Sequence, residues 1–318
     1  MNRREGLMQS RFFRVRCILI LLQRMLVVLL FCGDIAAFAQ YAEDKAVVEF
    51  ASAETFPVAI NASRVMNDIR YLSGELGPRK AGTRAETLAG DHIAEKMKRA
   101  GCRVSFQRVR LPNGTWSRNI IGVIGGAPGA RKKVIIGAHY DSRQWTPGAN
   151  DNASGAALLM ELARLVPART LNFNLVLIAF GAEEILPGTG GRHHFGSNQF
   201  VAERSRDELA DMIAMLSLDM VGAGSRLQIG NCGSRDRRVI GQLRQIARQD
   251  GVPTAYFGTC GSDNAAFERK GVPVAHVRWY PDANYHKPSD TADKISTNKL
   301  KISGRMTLKW LKLTSDRS

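Results

Sequence analysis

Residues able to hold metal ions or move protons recur in this chain at the ends of apolar runs. Gly137-Ala138-His139-Tyr140-Asp141-Ser142 puts a histidine and an acid two residues apart where a buried strand should end. Gly148-Ala149-Asn150-Asp151-Asn152-Ala153-Ser154-Gly155 follows, with another acid among small residues. Three more segments repeat the pattern: Phe180-Gly181-Ala182-Glu183-Glu184, Leu218-Asp219-Met220-Val221-Gly222 and Tyr285-His286-Lys287-Pro288-Ser289-Asp290-Thr291. Imidazole nitrogens and carboxylate oxygens form the mixed donor set that borderline cations such as zinc accept. The chemistry such a set supports is two-metal hydrolysis.

Each residue type suits a distinct task. His139 and Asp141 share a face of an extended chain, so Asp141 can accept a hydrogen bond from the far ring nitrogen and leave the near one for a metal. Asp151 precedes the helix expected from residue 153; its two oxygens can bridge two cations, although an ordinary helix N-cap would use the same residue type. Glu183 and Glu184 are adjacent, so an extended chain turns them opposite ways. One can ligate a metal while the other takes a proton from water. Asp219 closes an apolar run in which an uncompensated carboxylate is expensive. His286 precedes Lys287-Pro288, a stretch that proline keeps from becoming helical. Taken singly, these signals have ordinary structural explanations; their joint occurrence after the strands of one sheet points to a site.

The elements that must position these residues alternate. Apolar spacing predicts helices over 62–76 and 84–100, with a stop at Gly101. Two neighbouring strands follow at 102–111 and 119–124, the first with a bulge near Arg108, because Val104 and Phe106 fall on one face and Val109 and Leu111 on the other. The continuous apolar run 134–138 is expected of a strand covered on both sides. Helix 153–165, strands 173–180 and 213–218, helix 238–249, a short helix at 263–270, strand 272–277 and a helix over 297–314 complete the pattern. Such alternation predicts a single α/β domain with a mostly parallel central sheet and helices on both faces. Ligands collect at the carboxyl ends of the strands in such sheets.

The first 39 residues do not belong to that pattern. Arginines precede the apolar runs 17–22 and 25–32, and Ala37-Phe38-Ala39 matches a signal-peptidase site. A signal peptide at 1–39 and a single large domain at 40–318 are expected, with a periplasmic or secreted location; the alternative is an uncleaved membrane anchor. The whole chain carries a formal +16, and residues 1–39 hold six arginines against Glu5 and Asp34, a net +4, so +12 falls on 40–318. That excess predicts a weak affinity for anionic surfaces. Nucleic acid is not an expected partner, because the basic residues scatter through helices instead of interleaving with aromatics. Of the cysteines outside the leader, Cys102, Cys232 and Cys260, one pair can oxidise in an exported protein. Cys232 with Cys260 is preferred, both lying on loops near the site, although spacing alone does not settle the pairing.

At the ligand segments, and at Leu76-Gly77-Pro78-Arg79-Lys80-Ala81-Gly82-Thr83, the chain resembles the secreted co-catalytic zinc aminopeptidases, a family of zinc exopeptidases that includes glutaminyl cyclases. The resemblance runs through Thr291 and implies a zinc-exopeptidase-like fold with two Zn2+ ions per chain. It implies that Asp151 bridges both ions, that His139 and Asp219 complete the ligand set of one, and that Glu184 and His286 complete that of the other. Glu183 would be the general base toward a metal-bridging water, Asp141 would orient His139, and the peptide after Asp151 would be cis. The implied activity is removal of N-terminal residues from peptides; the alternative is a glutaminyl-peptide cyclotransferase with a single zinc. Tyr285 before His286, where cyclases tend to carry Trp, favours hydrolysis. The chain departs from the family at Asn264, where relatives often have His, and at residues 185–195, a long glycine-rich connection. That connection reads as a mobile rim of the cleft, with His193-His194 not expected to bind metal.

Overall fold

The apolar runs that end in candidate ligands become the middle strands of one sheet. The computed structural model describes residues 56–317. The proposed leader, its cleavage site and the alternative anchor lie outside the described residues. Helices α1 (Ala62–Arg70) and α2 (Arg84–Arg99) precede strands β1 (Arg103–Arg110), β2 (Trp116–Ile124) and β3 (Lys133–His139). Then come α3 (Ser154–Leu165), β4 (Asn174–Phe180), α4 (Phe195–Ala202), α5 (Arg206–Ala210), β5 (Met212–Leu218) and β6 (Arg226–Asn231). The chain continues with α6 (Arg238–Gln249), β7 (Thr254–Gly258), α7 (Asn264–Glu268), β8 (Val274–Tyr280) and α8 (Thr297–Ser315).

The strand order is β1-β2-β4-β3-β5-β8-β6-β7. The centre, β4-β3-β5-β8, is parallel, as is β6 with β7; β1 with β2, β2 with β4, and β6 with β8 are antiparallel. The parallel centre follows from composition: six of the seven residues of β3 and of β4 are buried, which a strand tolerates only when both faces are covered. One face packs Val134, Ile136, Leu175 and Leu177 against α1, α2, α3, α6 and α8. The other packs Ile135, Ile178 and Phe180 against Phe200 of α4 and Phe267 of α7. Helices therefore cover both faces, as expected of this α/β class.

Helix α3 buries nearly all its length, which its small residues permit. A Cβ at Gly155 would stand 2.2 Å from the Leu218 carbonyl oxygen and 2.5 Å from Asn152 Oδ1. Only glycine lets the start of α3 press against the end of β5, bringing Asp151 next to Asp219.

Several boundaries differ from the sequence reading. The first helix is α-helical only to Arg70 and continues as a wider turn over Tyr71–Glu75. No bulge interrupts β1; its register runs evenly from Arg103 opposite Val123 to Arg110 opposite Trp116. The apparent change of face arises because β1 is an edge strand with each face partly covered. Phe106 lies beneath the Arg118 guanidinium, while Val109 and Leu111 pack with Ala81, Ala182 and Leu186. Strands β6 and β7 are only six and five residues long, too short for periodicity to reveal them. Among the described residues no helix is long and apolar enough to cross a membrane.

In the first turn of α2 the carboxylate of Glu86 is buried and accepts hydrogen bonds from the Gly82 N–H and the Ser117 hydroxyl. Burial, reinforced by the charge of Asp141, pushes this carboxyl up to about 8 from an ordinary 4.5. A raised folded value means its contribution to stability is complete below about pH 4.5 and is lost as pH rises through 8. Glu86→Gln should therefore flatten the decline of stability across that window. Denaturation midpoints measured from pH 4.5 to 8.5 test this; an unchanged slope would refute it.

Candidate metal centre

Because β4, β3, β5 and β8 are parallel neighbours, their C-terminal ends gather at one edge of the sheet. His139 is the last residue of β3, Asp219 directly follows β5, and Glu183-Glu184 lie just past β4. His286 comes from the loop after β8, and Asp151 from the turn between Gly148, in the left-handed region at φ +64°, and α3. The Asp151–Asn152 peptide is cis. Of the five non-glycine residues with positive φ among those described, four are here: Ala182, His194, Met220 and His286. Each costs on the order of 1–2 kcal/mol, and such backbone clusters at sites that the surroundings over-determine.

That over-determination is visible. Asn150 accepts from the N–H groups of Gly222 and Ala223, and Asn152 accepts from those of Gly155 and Met220 while donating to the Leu218 carbonyl. Asp290 accepts from the N–H groups of Asn150 (2.8 Å) and Asp151 (3.0 Å). The fully buried Arg79 donates to five carbonyls: Leu72, Gly77, Tyr140, Pro147 and Gly148. It clamps the segments bearing His139, Asp141 and Asp151.

All the expected ligands converge. His139 Nε2 lies 3.2 Å from Asp151 Oδ1 and 3.5 Å from Asp219 Oδ1. His286 Nε2 lies 3.1 Å from Asp151 Oδ2 and 3.4 Å from Glu184 Oε1. Ligand atoms on one tetrahedral zinc, each about 2.0–2.1 Å from it, stand about 3.3 Å apart. The two groups match that spacing, and Asp151 contributes a different oxygen to each. Asp219 Oδ1 is buried without a hydrogen-bond partner, a donor atom suited to a cation.

The electrostatics ask for positive charge. Burial alone would lower the affinity of His139 for a proton, yet Glu183 and Asp219 raise it well above the usual histidine range. His286 is likewise raised, against its burial, to about 9 by contacts with Asp151 and Glu184. Burial would raise Asp151, but hydrogen bonds from His139 and His286 hold it well below the carboxylate range. Glu183 goes the other way: burial, then its acidic neighbours Glu184, Asp219 and Asp141, push it well up against the pull of His139.

Asp141 backs His139 as expected and takes a second role as well. Its carboxylate accepts from the N–H groups of Glu183 (3.0 Å) and Glu184 (3.1 Å) and stands 3.5 Å from His139 Nδ1. The nearer acceptor to that nitrogen is the Asp141 carbonyl, at 3.2 Å. Asp141 thus ties the β3 loop to the paired glutamates as much as it backs the histidine.

Sequence reasoning missed other residues. His194 is buried, not on a free rim: its Nε2 lies 2.8 Å from Glu183 Oε1, and its N–H donates to the Glu183 carbonyl. Arg143 Nε donates to Glu184 Oε2 at 3.0 Å. His276, on β8, is buried with Nε2 3.7 Å from Asp219 Oδ2, and burial lowers it to about 4, so it is neutral. Asp263, beside the divergent Asn264, is buried without a hydrogen-bond partner and raised to about 7 by burial and then by Glu183. A histidine pair in a glycine-rich insertion was the one available signal for His194. Cys232 and Cys260 form a disulfide, and Cys102 is a buried free thiol.

The profile of Peptidase family M28 matches residues 119–311. The chain belongs to this family. Proteins similar to it include ones named as zinc aminopeptidases and zinc metalloproteases. Over 202 residues this M28 chain is 32% identical to aminopeptidase YwaD of Bacillus subtilis, a match covering 59% of the chain and 42% of that relative, which is much the longer protein. Its fold matches the zinc aminopeptidase BSAP of Bacillus subtilis with TM-score 0.75 at 20% identity, covering 81% of the chain and 96% of BSAP. A glutaminyl cyclase from an Acidobacteriales bacterium superposes with TM-score 0.71 at 22% identity, covering 84% and 98%.

Asp290→Ala would leave the Asn150 and Asp151 N–H groups buried without acceptors, at about 1–3 kcal/mol each. The variant should melt at lower temperature and lose metal on dialysis more readily, with every ligand still present. Retention equal to that of the wild type would show that this bracing does not govern the site.

Proposed function

We propose that this M28 chain is a two-zinc aminopeptidase that removes N-terminal residues from peptides. The observation that carries the reading is Asp151, whose two oxygens face different histidines at 3.2 and 3.1 Å. In this reading His139, Asp151 and Asp219 hold one ion, and Asp151, Glu184 and His286 hold the other. When bound, the ions supply Lewis-acid polarisation of the peptide carbonyl and charge to offset the developing oxyanion.

The remaining work falls to the chain. Glu183 keeps one oxygen against His194 and turns the other toward His139, at 4.0 Å. From there it takes a proton from the attacking water and returns it to the leaving amine. Its raised proton affinity suits both steps. Asp141 holds the backbone of Glu183 and Glu184, so base and ligand keep a fixed separation. The names of YwaD and BSAP agree with this activity.

The leader pattern at 1–39 and the Cys232–Cys260 disulfide support an exported protein with a mature N-terminus at Gln40. N-terminal sequencing of protein recovered outside the cytoplasm should begin there; a start at Met1 would argue for the anchor.

Glu183→Gln should keep two zinc ions per chain by elemental analysis and lose about 10²–10⁴-fold in hydrolysis of aminoacyl-nitroanilides. Undiminished turnover would remove Glu183 as the base. One zinc per wild-type chain, with cyclisation of glutaminyl peptides, would transfer the assignment to a cyclotransferase.

A further inference from the structure

Strand β8 carries a cation that the proposed chemistry does not use. Val277 is buried in the main core, so its neighbours His276 and Arg278 share the opposite face, which forms a wall of the cavity holding the ligands. The Arg278 guanidinium is clamped flat, with Cζ 4.0 Å from the Phe257 ring and 4.4 Å from the Tyr280 ring. Its Nε donates at 2.9 Å to Oε1 of Gln228, the residue opposite it on β6. These contacts fix the plane of the group and occupy one N–H of five. Among the described residues no carboxylate pairs with it. The other arginine lining the cavity, Arg143, is already paired with Glu184.

We infer that Arg278 sets substrate specificity by pairing with a carboxylate of the peptide, so that acidic substrates are preferred. The inference rests on the two-zinc peptidase reading, in which the cavity's own carboxylates are engaged as ligands and base and leave Arg278 the unmatched charge. A half-buried guanidinium is costly without a counter-ion, and a planar fork held rigid suits bidentate capture of a carboxylate. Phe257 and Tyr280 keep the fork from swinging away, and Gln228 leaves its terminal nitrogens free. The carboxylate has two sources: the side chain of an N-terminal Asp or Glu, or the C-terminus of a very short peptide.

The zinc-loaded enzyme distinguishes them. Glutamyl-, glutaminyl- and leucyl-nitroanilides are compared by kcat/KM, alongside the dipeptide Leu-Ala and its C-terminal amide. A charge-assisted pair predicts about tenfold or greater preference for the acid over its neutral isostere. Preference for glutamyl over glutaminyl substrate identifies the side chain; preference for Leu-Ala over its amide identifies the C-terminus. Arg278→Gln should collapse whichever ratio is found, chiefly through KM, and Arg278→Lys should retain part of it. Hydrolysis of neutral and acidic substrates alike by the wild type overturns the inference and leaves the peptidase reading standing. No hydrolysis of any of the five removes both.

Discussion

Four carboxylates, those of Asp151, Glu183, Glu184 and Asp219, are buried together at one edge of the sheet, and their mutual repulsion is the constraint on which this structure turns. Acids so placed are tolerable only with positive charge among them. His139 and His286 answer that demand by their raised proton affinity, and two divalent cations would answer it more fully. The arrangement is thus costly as packing and useful as chemistry. Burial and that field raise the proton affinity of Glu183 and of Glu184, whereas hydrogen bonds from the histidines hold that of Asp151 low.

Holding such groups in place falls to residues that never approach a substrate. Arg79, Asn150, Asn152 and Asp290 convert backbone N–H and C=O groups of four separate loops into one hydrogen-bonded frame. Because most of the partners are buried, releasing one of these bonds leaves an unpaired polar group away from water. That is the physical reason the loops can sustain left-handed backbone at Ala182, Met220 and His286. Gly155 contributes by absence, admitting α3 to contact with β5.

The insertion after Glu184 illustrates how a loop of unpromising composition acquires a definite place. Its glycines suggest mobility, but the chain turns back so that the His194 N–H meets the Glu183 carbonyl and the ring meets its carboxylate. Burial lowers the affinity of that ring for a proton beside the Glu183 carboxylate. The divergence at Asn264 sits beside Asp263, whose proton affinity is raised by burial and then by the charge of Glu183. Glu183, the insertion and the divergent loop therefore form one electrostatic neighbourhood, although nothing in their sequence separation suggests it.

Local composition was enough to single out a set of candidate ligands. Each of these donors has an ordinary structural explanation taken singly, but their recurrence made His139, Asp151, Glu183, Glu184, Asp219 and His286 legible as a set, and the resemblance to the zinc aminopeptidases gave each its expected part. The central strands and long helices were legible because burial on one or both faces imposes a period. Tertiary structure decided what periodicity does not encode. It split the Asp151 oxygens between two histidines, gave Asp141 the glutamate backbone to hold beside His139, set His194 against Glu183, and placed Arg278 at the cavity. Hydrogen bonds and charge pairing depend on distance in space, and only the folded sheet edge brings residues from six loops and strands within a few ångströms of one another.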